Sequence, residues 1–242
     1  MCTSSRIARL LGVLCMGALV ACASDAAPDV DTAQPAQALG LDVGLVRDAH
    51  LNSKLDVKPS ELVYHDAWRK LWEDHITWTR MVIIGTLDCL DGNDAYTARL
   101  LKNYEDMEDA LMPYYGRAEV EAFGDLIKDH LTIAASILVA ARDGDTEQMN
   151  ALIVTWRANG DALAKQMSAM NPEFWPYEST AAMWQEHLDV TLAEATAHLT
   201  GDFEGEIAVW EKVHTGGLMM ADLFSRGTMR ANPGDFVGCK VP

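Results

Sequence analysis

The sequence predicts an all-α fold, a helical bundle of about six helices built as three tandem αα-hairpins. One short pattern occurs three times: a large apolar residue, any residue, an acid, a histidine and an aliphatic residue. The copies are Trp72–Ile76, Ile127–Leu131 and Trp184–Leu188. Each is followed by an apolar run with helical spacing, a turn containing Gly and Asp, and a second amphipathic run. Internal periodicity of this kind indicates a repeated hairpin more firmly than any single motif does.

Capping residues and helix breakers give the boundaries of the six helices. Ser60 follows Pro59 and suits the N-cap of the first helix. Pro113 interrupts the second helix near its end, and Pro172 stops the fourth. In chain order, we expect helices at about residues 60–87, 94–115, 118–142, 145–170, 179–199 and 202–225.

The turns within the three hairpins share one chemistry. They are Gly92–Asp94, Gly144–Asp145 and Gly201–Asp202. In each, the glycine suits the left-handed position after a helix and the Asp suits the cap of the next. The separations from the repeat histidine to that Asp are 19, 15 and 15 residues, so the first hairpin carries four extra residues, which we place in its turn.

The N-terminus has the features of an export signal. Arg6 and Arg9 precede an apolar run over residues 10–21 that is too short to span a bilayer. The run ends in Leu19–Cys22, which resembles the bacterial lipobox. That resemblance implies acylation of Cys22 and removal of the signal peptide, residues 1–21; the alternative is an ordinary signal peptide cleaved nearby.

The export signal sets the predicted domain organisation and location. An acylated, disordered tether and approach segment covers residues 22–59, the bundle domain residues 60–227, and a C-terminal tail residues 228–242. The acyl chains would hold the protein on a membrane of the bacterial cell envelope, facing the periplasm or the exterior.

The charge excludes one class of partner. Without residues 1–21 the chain has 17 Lys and Arg against 36 Asp and Glu, a net charge of −19. Nucleic acid would be repelled, and so would anionic lipid, so we expect membrane attachment to depend on the acyl chains alone. The same acidity attracts cations, although it also serves solubility.

Two cysteines remain after export and acylation. Cys89 lies in the turn of the first hairpin and Cys239 in the tail. An exported protein meets an oxidising compartment, so we expect a Cys89–Cys239 disulfide. Two free thiols or a soft metal site are the alternatives.

Counting along the helices predicts a layer of histidines inside the bundle. With a rise of about 1.5 Å per residue, the path from His187 up to the turn and back places His214 at nearly the same depth. The first helices of the three hairpins run parallel, so His75 and His130 belong to the same layer. The same count places Asp106 or Glu105 beside His75. All four histidines lie on apolar stripes, which point inward.

Such a layer predicts a site for a transition metal. Three or four imidazoles with an occasional carboxylate suit copper, iron or zinc. The candidate ligands are His75, His130, His187, His214, Asp106, Glu105 and Glu211. A haem-like cofactor or a structural histidine–carboxylate network are the alternatives. A ferritin-like di-iron site is disfavoured because Glu211–His214 is the single Glu-x-x-His motif.

The remaining acids and histidines receive lesser roles. Because adjacent helical residues diverge by about 100°, the acids that precede the repeat histidines are expected at helix interfaces or behind a neighbouring histidine. They are Asp74, Asp129 and Glu186. We expect the other three histidines, His50, His65 and His198, to be solvated.

Part of the chain resembles a group of small exported all-helical bacterial proteins. The stretches that carry the likeness are Leu71–Arg80, Met112–Gly116 and Leu218–Asp222, and it extends over about residues 62–226. The resemblance implies the helical fold and the envelope setting, and it implies no activity. We therefore expect a lipoprotein that stores, buffers or senses a transition metal. The alternatives are a non-enzymatic scaffold and a metal-dependent redox enzyme.

Overall fold

The computed structural model describes residues 59–236 and confirms the all-α prediction within that range. Helices cover 86% of these residues, and no strand occurs among them. In chain order the helices are α1 Pro59–Leu87, α2 Asn93–Leu111, α3 Arg117–Asp143, α4 Thr146–Met170, α5 Tyr177–Thr200 and α6 Phe203–Ala231. The predictions for the signal peptide, Cys22, the tether and Cys239 lie outside the described residues.

The six helices close into a ring. Each helix packs against the next along the chain, and α6 packs against α1. Helix α1 also contacts α3 and α5, which places the first helix of each hairpin on the inside. Helices α2, α4 and α6 therefore each lie between two inner helices. Which of their side chains reach the centre of the bundle depends on both contacts.

All three hairpins turn at the residue fourteen positions after the repeat histidine. The residues there are Cys89, Gly144 and Gly201, with φ angles of 56°, 76° and 79°. The next backbone N–H in each turn donates to a carbonyl five residues earlier, at distances of 2.9 Å in all three. Cys89 thus adopts a left-handed conformation that usually selects glycine.

The turn chemistry was predicted correctly for two hairpins and wrongly for the first. The carboxylates of Asp145 and Asp202 accept the expected bonds from backbone N–H groups three residues on, at 3.0 and 2.9 Å. In the first turn Gly92 is right-handed, with φ −82°, and caps α2 without a side chain, so Asp94 is not the cap. Cys89 has already made the left-handed turn, and a second one at Gly92 is not needed.

Two glycines allow the second helix of a hairpin to pack closely against the first helix of the next hairpin around the ring. Gly160 and Gly217 each lie fifteen residues after the capping Asp of their helix. A Cβ on Gly160 would lie 3.4 Å from Leu188, and one on Gly217 would lie 3.1 Å from Ile76. Leu188 and Ile76 both follow a repeat histidine, so the same close approach joins α4 to α5 and α6 to α1.

The last helix continues further than the sequence predicted. We expected it to end near Ser225, but it runs to Ala231, and Pro233 follows shortly after. Beyond it, Phe236 is buried, with its ring centroid 5.1 Å from those of Tyr64 and Tyr114. The described start of the tail is therefore part of the hydrophobic core.

Candidate metal centre

Three histidines from the three inner helices meet at the centre of the ring. His75 of α1, His130 of α3 and His187 of α5 form the histidine trio, with ring centroids 5.5, 6.0 and 6.3 Å apart. One nitrogen from each ring lies within 4.8 Å of the others, close enough to hold a metal ion. Three nitrogens bound to one ion at 2.0–2.1 Å would be about 3.5 Å apart, so the rings would close by roughly 1 Å. The predicted histidine layer is confirmed for these three.

Two of the three rings are held by asparagines from the second helix of the same hairpin. Nδ1 of His75 lies 2.9 Å from Oδ1 of Asn103, and Nδ1 of His130 lies 3.1 Å from Oδ1 of Asn159. An amide oxygen can only accept a hydrogen bond, so each Nδ1 carries a proton and is the donor. Each histidine then has the lone pair of Nε2 left to offer, which is the form that a metal requires.

The asparagines are themselves fixed. Nδ2 of Asn103 donates to the carbonyl of Leu71 at 3.0 Å, and Nδ2 of Asn159 donates to the carbonyl of Leu126 at 3.0 Å. Both acceptors lie four residues before the histidine that the asparagine holds. These bonds set the orientation of each amide, so the tautomer of each histidine follows from the geometry.

The third hairpin has no such amide. Asn159 lies fourteen residues after the capping Asp of α4, and the equivalent residue of α6 is Gly216. Nδ1 of His187 is buried, and no hydrogen-bond partner for it occurs within the described part of the chain. A Cβ on Gly216 would meet nothing within 4 Å, so there is room for a side chain at this position.

Burial keeps the histidine trio neutral. His75, His130 and His187 are 1%, 2% and 5% exposed. Desolvation lowers the pKa of His75 to about 4 and that of His130 to about 3, and it lowers the pKa of His187 well below the ordinary value of 6.5. At neutral pH three uncharged imidazoles therefore face one another, and protons do not compete with a metal for them.

The surroundings of the trio are aromatic and apolar. Trp72 and Trp184 lie three residues before His75 and His187, are fully buried, and pack against the histidine rings at centroid distances of 5.0–6.0 Å. A cavity of about 20 Å³ adjoins the trio. That is enough for about one water-sized group, so the described site cannot accommodate a haem-like cofactor.

The other predicted ligands lie elsewhere. His214 is partly exposed and its Nε2 lies 2.8 Å from Oε1 of Glu73, outside the trio. Asp106 lies 3.5 Å from Arg99, Glu105 pairs with Lys102 at 2.8 Å, and Glu211 is exposed. None of these four residues joins the group of potential ligands that the described residues form.

The count of helical rise gave the right depth and the wrong face for His214. Helix α6 lies between α5 and α1, and His214 faces α1, where it meets Glu73. The residue of α6 that corresponds to Asn159 is Gly216, two positions further along. For α2 the count erred by three residues, because Asn103 and not Asp106 reaches His75.

The acids beside the repeat histidines do not reach the trio. Asp129 and Glu186 are exposed, and Asp74 pairs with Arg99 at 2.7 Å and with Lys70. Asp74 thus lies at a helix interface, which was one of the two expectations for these acids. The other expectation, that they orient neighbouring histidines, was wrong, since the asparagines do so instead. Sequence reasoning overlooked these amides, although Asn103 and Asn159 follow their histidines by 28 and 29 residues.

A second polar cluster was also missed. Arg80 of α1 contacts Glu194 at 2.7 Å and Glu206 at 2.6 Å, and Nδ1 of His198 lies 2.8 Å from Glu206. Asp88 lies 3.2 Å from the other nitrogen of His198. His198 is 8% exposed and Glu194 only 1%, so the prediction of a solvated histidine was wrong here. His65, also expected in solvent, is partly buried and lies 2.9 Å from Asp222.

Burial dominates the chemistry of Glu194. Desolvation raises the pKa of its carboxyl to about 7, although the charge of Arg80 acts in the opposite direction. Its second oxygen has no hydrogen-bond partner among the described residues. This cluster contains none of the histidines of the predicted layer, and at the trio the described partners are asparagines and not the carboxylates that a histidine–carboxylate network requires.

Comparison with known proteins finds no matching family model, no matching curated protein and no matching solved structure. Every helix between residues 59 and 236 lacks the combined length and apolar character of a membrane span. The geometry of the site is therefore the observation from which a function can be inferred.

Proposed function

We propose that this protein binds one transition-metal ion through the histidine trio. The observation that carries the proposal is the convergence of three buried, neutral imidazoles from three separate helices. Placing these groups in an apolar core costs free energy unless they have partners, on the order of 1–3 kcal/mol each. An ion would use the lone pairs that the asparagines leave free on His75 and His130.

The proposed role is to hold the ion in order to store, buffer or sense it. The trio is nearly inaccessible, and the adjoining cavity of about 20 Å³ suits a bound ion better than a substrate of any size. We further propose that the protein is a lipoprotein of the bacterial envelope, anchored through Cys22. This rests on the N-terminal sequence and its lipobox resemblance.

A structural role is the competing proposal. His75 and His130 each satisfy one ring nitrogen through an asparagine and pack against tryptophan rings, as core histidines do. In that case the trio serves the fold of a non-enzymatic scaffold protein. The two proposals differ in whether purified protein contains a metal.

The test is metal analysis of protein produced without a chelating tag. We expect about one metal ion per chain in the wild type, measured by plasma mass spectrometry, and its loss in His187→Gln. His214→Gln is the matched control, because it changes a partly exposed histidine outside the trio and should retain the ion. Circular dichroism would verify that both variants remain helical.

Two results would contradict the metal proposal. One is folded wild-type protein that takes up no copper, iron or zinc even after refolding in their presence. The other is an ion that is retained equally by His187→Gln, which would place it elsewhere.

A further inference from the structure

We propose that the ion held by the histidine trio is monovalent copper, Cu(I). This inference rests on the proposed function and adds the charge and kind of the ion. It follows from the charges around the site, the nature of its wall and the number of its ligands.

The set of donors carries no negative charge. The three imidazoles are backed by the neutral amides of Asn103 and Asn159, where zinc sites commonly place a carboxylate behind the histidine. The only group of potential ligands among the described residues contains histidines and no acid. A divalent ion on these three ligands would therefore leave two uncompensated positive charges.

The wall of the site offers little to compensate such charge. The cavity beside the trio is lined mainly by aliphatic side chains and Trp156. Two hydroxyl groups reach the cavity, those of Thr79 and Thr191. Each donates a hydrogen bond to a backbone carbonyl of its own helix, that of His75 or His187, at 2.7 Å. Because the cost of desolvating an ion rises with the square of its charge, a divalent ion costs about four times as much as a monovalent one here.

The type and number of ligands select copper among monovalent ions. Imidazole nitrogen suits copper, zinc, iron and nickel, whereas alkali ions require oxygen ligands. Of these four metals, copper has the readily formed monovalent state, and Cu(I) accepts three ligands in one plane. The trio offers three rings at nearly equal separations of 5.5–6.3 Å, which suits a trigonal ion.

The main competitor is a divalent ion that brings its own anion. Zinc with a bound hydroxide would also have a net charge of one, and the cavity of about 20 Å³ can hold one water-sized ligand. Cu(II) fits less well, because it favours a tetragonal set of ligands that three imidazoles do not provide. The experiment therefore compares Cu(I) directly with zinc.

The test is an anaerobic titration of the full metal-free chain. Cu(I) is supplied in competition with a chromophoric Cu(I) chelator, and Zn²⁺ with a chromophoric zinc chelator. We expect one Cu(I) per chain at the trio, with Zn²⁺ failing to displace it. In Asn103→Asp, a carboxylate would stand behind His75, and the ratio of zinc to Cu(I) affinity should rise by about 10- to 100-fold.

The outcomes separate the two proposals. If one Zn²⁺ binds, is lost in His187→Gln, and excludes Cu(I), then the copper inference is overturned while the metal site stands. If both ions bind equally to His187→Gln, or if neither ion binds and iron is not taken up either, then the metal site itself is overturned; if iron alone binds, then only the copper inference is overturned. Should Asn103→Asp not fold, Asn159→Asp makes the same change behind His130, and an unchanged affinity ratio there would also count against Cu(I).

Discussion

Asn159 links His130 to the backbone of the same helix: its Oδ1 accepts from Nδ1 of His130 at 3.1 Å, and its Nδ2 donates to the carbonyl of Leu126 at 3.0 Å. Asn103 makes the same two bonds, with Nδ1 of His75 and with the carbonyl of Leu71. The two hairpins thus repeat a complete unit, in which one amide fixes both the rotation of the ring and its tautomer. The orientation and the tautomer of two of the three rings in the trio therefore depend on these two side chains.

Removing such an amide should destabilise the protein. Asn103→Ala leaves the Nδ1–H of His75 buried without a partner, which costs about 1–3 kcal/mol of unfolding free energy. Chemical denaturation followed by circular dichroism measures the change. Asn93→Ala is a control, because Asn93 also bonds a side chain, Thr86 at 3.0 Å, but lies near the first turn. A loss no larger than that of the control would show that the His75 bond contributes little.

The stability of the metal-free protein should fall as the pH is lowered below about 6.5. The trio has depressed pKa values when folded, about 4 for His75 and about 3 for His130, whereas the unfolded chain takes up protons near 6.5. This loss begins near pH 6.5 and is complete only below the folded values. Each proton taken up on unfolding contributes about 1.4 kcal/mol per pH unit. Urea denaturation between pH 7.5 and 4.5, with a chelator present, gives the slope, and a flat profile would contradict the burial of three neutral rings.

The titration of Glu194 should change the stability with pH in the direction opposite to that of the trio. Its pKa is raised to about 7 in the folded state, so its carboxyl is protonated when folded and ionised when unfolded between about pH 4.5 and 7. Its contribution to the stability is therefore fully present below about pH 4.5 and is lost as the pH rises from there through 7. Glu194→Gln removes this compensation, and the fall in stability with decreasing pH should become steeper by up to about 1.4 kcal/mol per pH unit. An unchanged slope would mean that Glu194 is ionised throughout, held by Arg80.

Much of the fold followed from sequence because its signals are local. The capping Asp145 and Asp202 and the left-handed glycines all act within one or two turns of the chain, and the repeated pattern marks the first helix of each hairpin. The parallel course of α1, α3 and α5 then follows from short hairpins, and it brings His75, His130 and His187 to one level. Cys89 shows the limit, because a non-glycine residue in a left-handed conformation gives no sequence signal.

The partners of the histidines could not be predicted in the same way. Helical rise gives the depth of a residue but not which of two neighbouring helices it faces. His214 lies at the predicted depth, yet it reaches Glu73 of α1, the next inner helix around the ring. Arg157 of α4 likewise reaches Asp189 of α5. These faces are set by the closure of the ring, which depends on the packing of all six helices. For this reason Asn103 and Asn159 could be assigned as the partners of the histidines only from the structure.

Membrane attachment should depend on Cys22 alone. Cys22→Ala removes the residue expected to be acylated and leaves residues 59–236, which contain the bundle, unchanged. We expect the variant to move from the membrane fraction to the soluble fraction while keeping its helical circular dichroism spectrum. Retention of the variant in the membrane fraction after a high-salt wash would contradict the lipobox interpretation.

The absent amide of the third hairpin can be supplied by design. Gly216 occupies the position of Asn159 and has space for a side chain, while Nδ1 of His187 lacks a hydrogen-bond partner among the described residues. The asparagine of Gly216→Asn should donate and accept as the other two asparagines do, and the new bond should stabilise the fold by about 1 kcal/mol.

Alanine is a better helix former than asparagine, so comparing Gly216→Asn with Gly216→Ala alone would underestimate the contribution of the new bond. The measurement is therefore a double-mutant cycle, in which the Asn-to-Ala difference is determined with His187 present and with His187→Leu. A coupling energy near zero would show that the α5–α6 hairpin does not repeat the geometry of α3–α4 at this position.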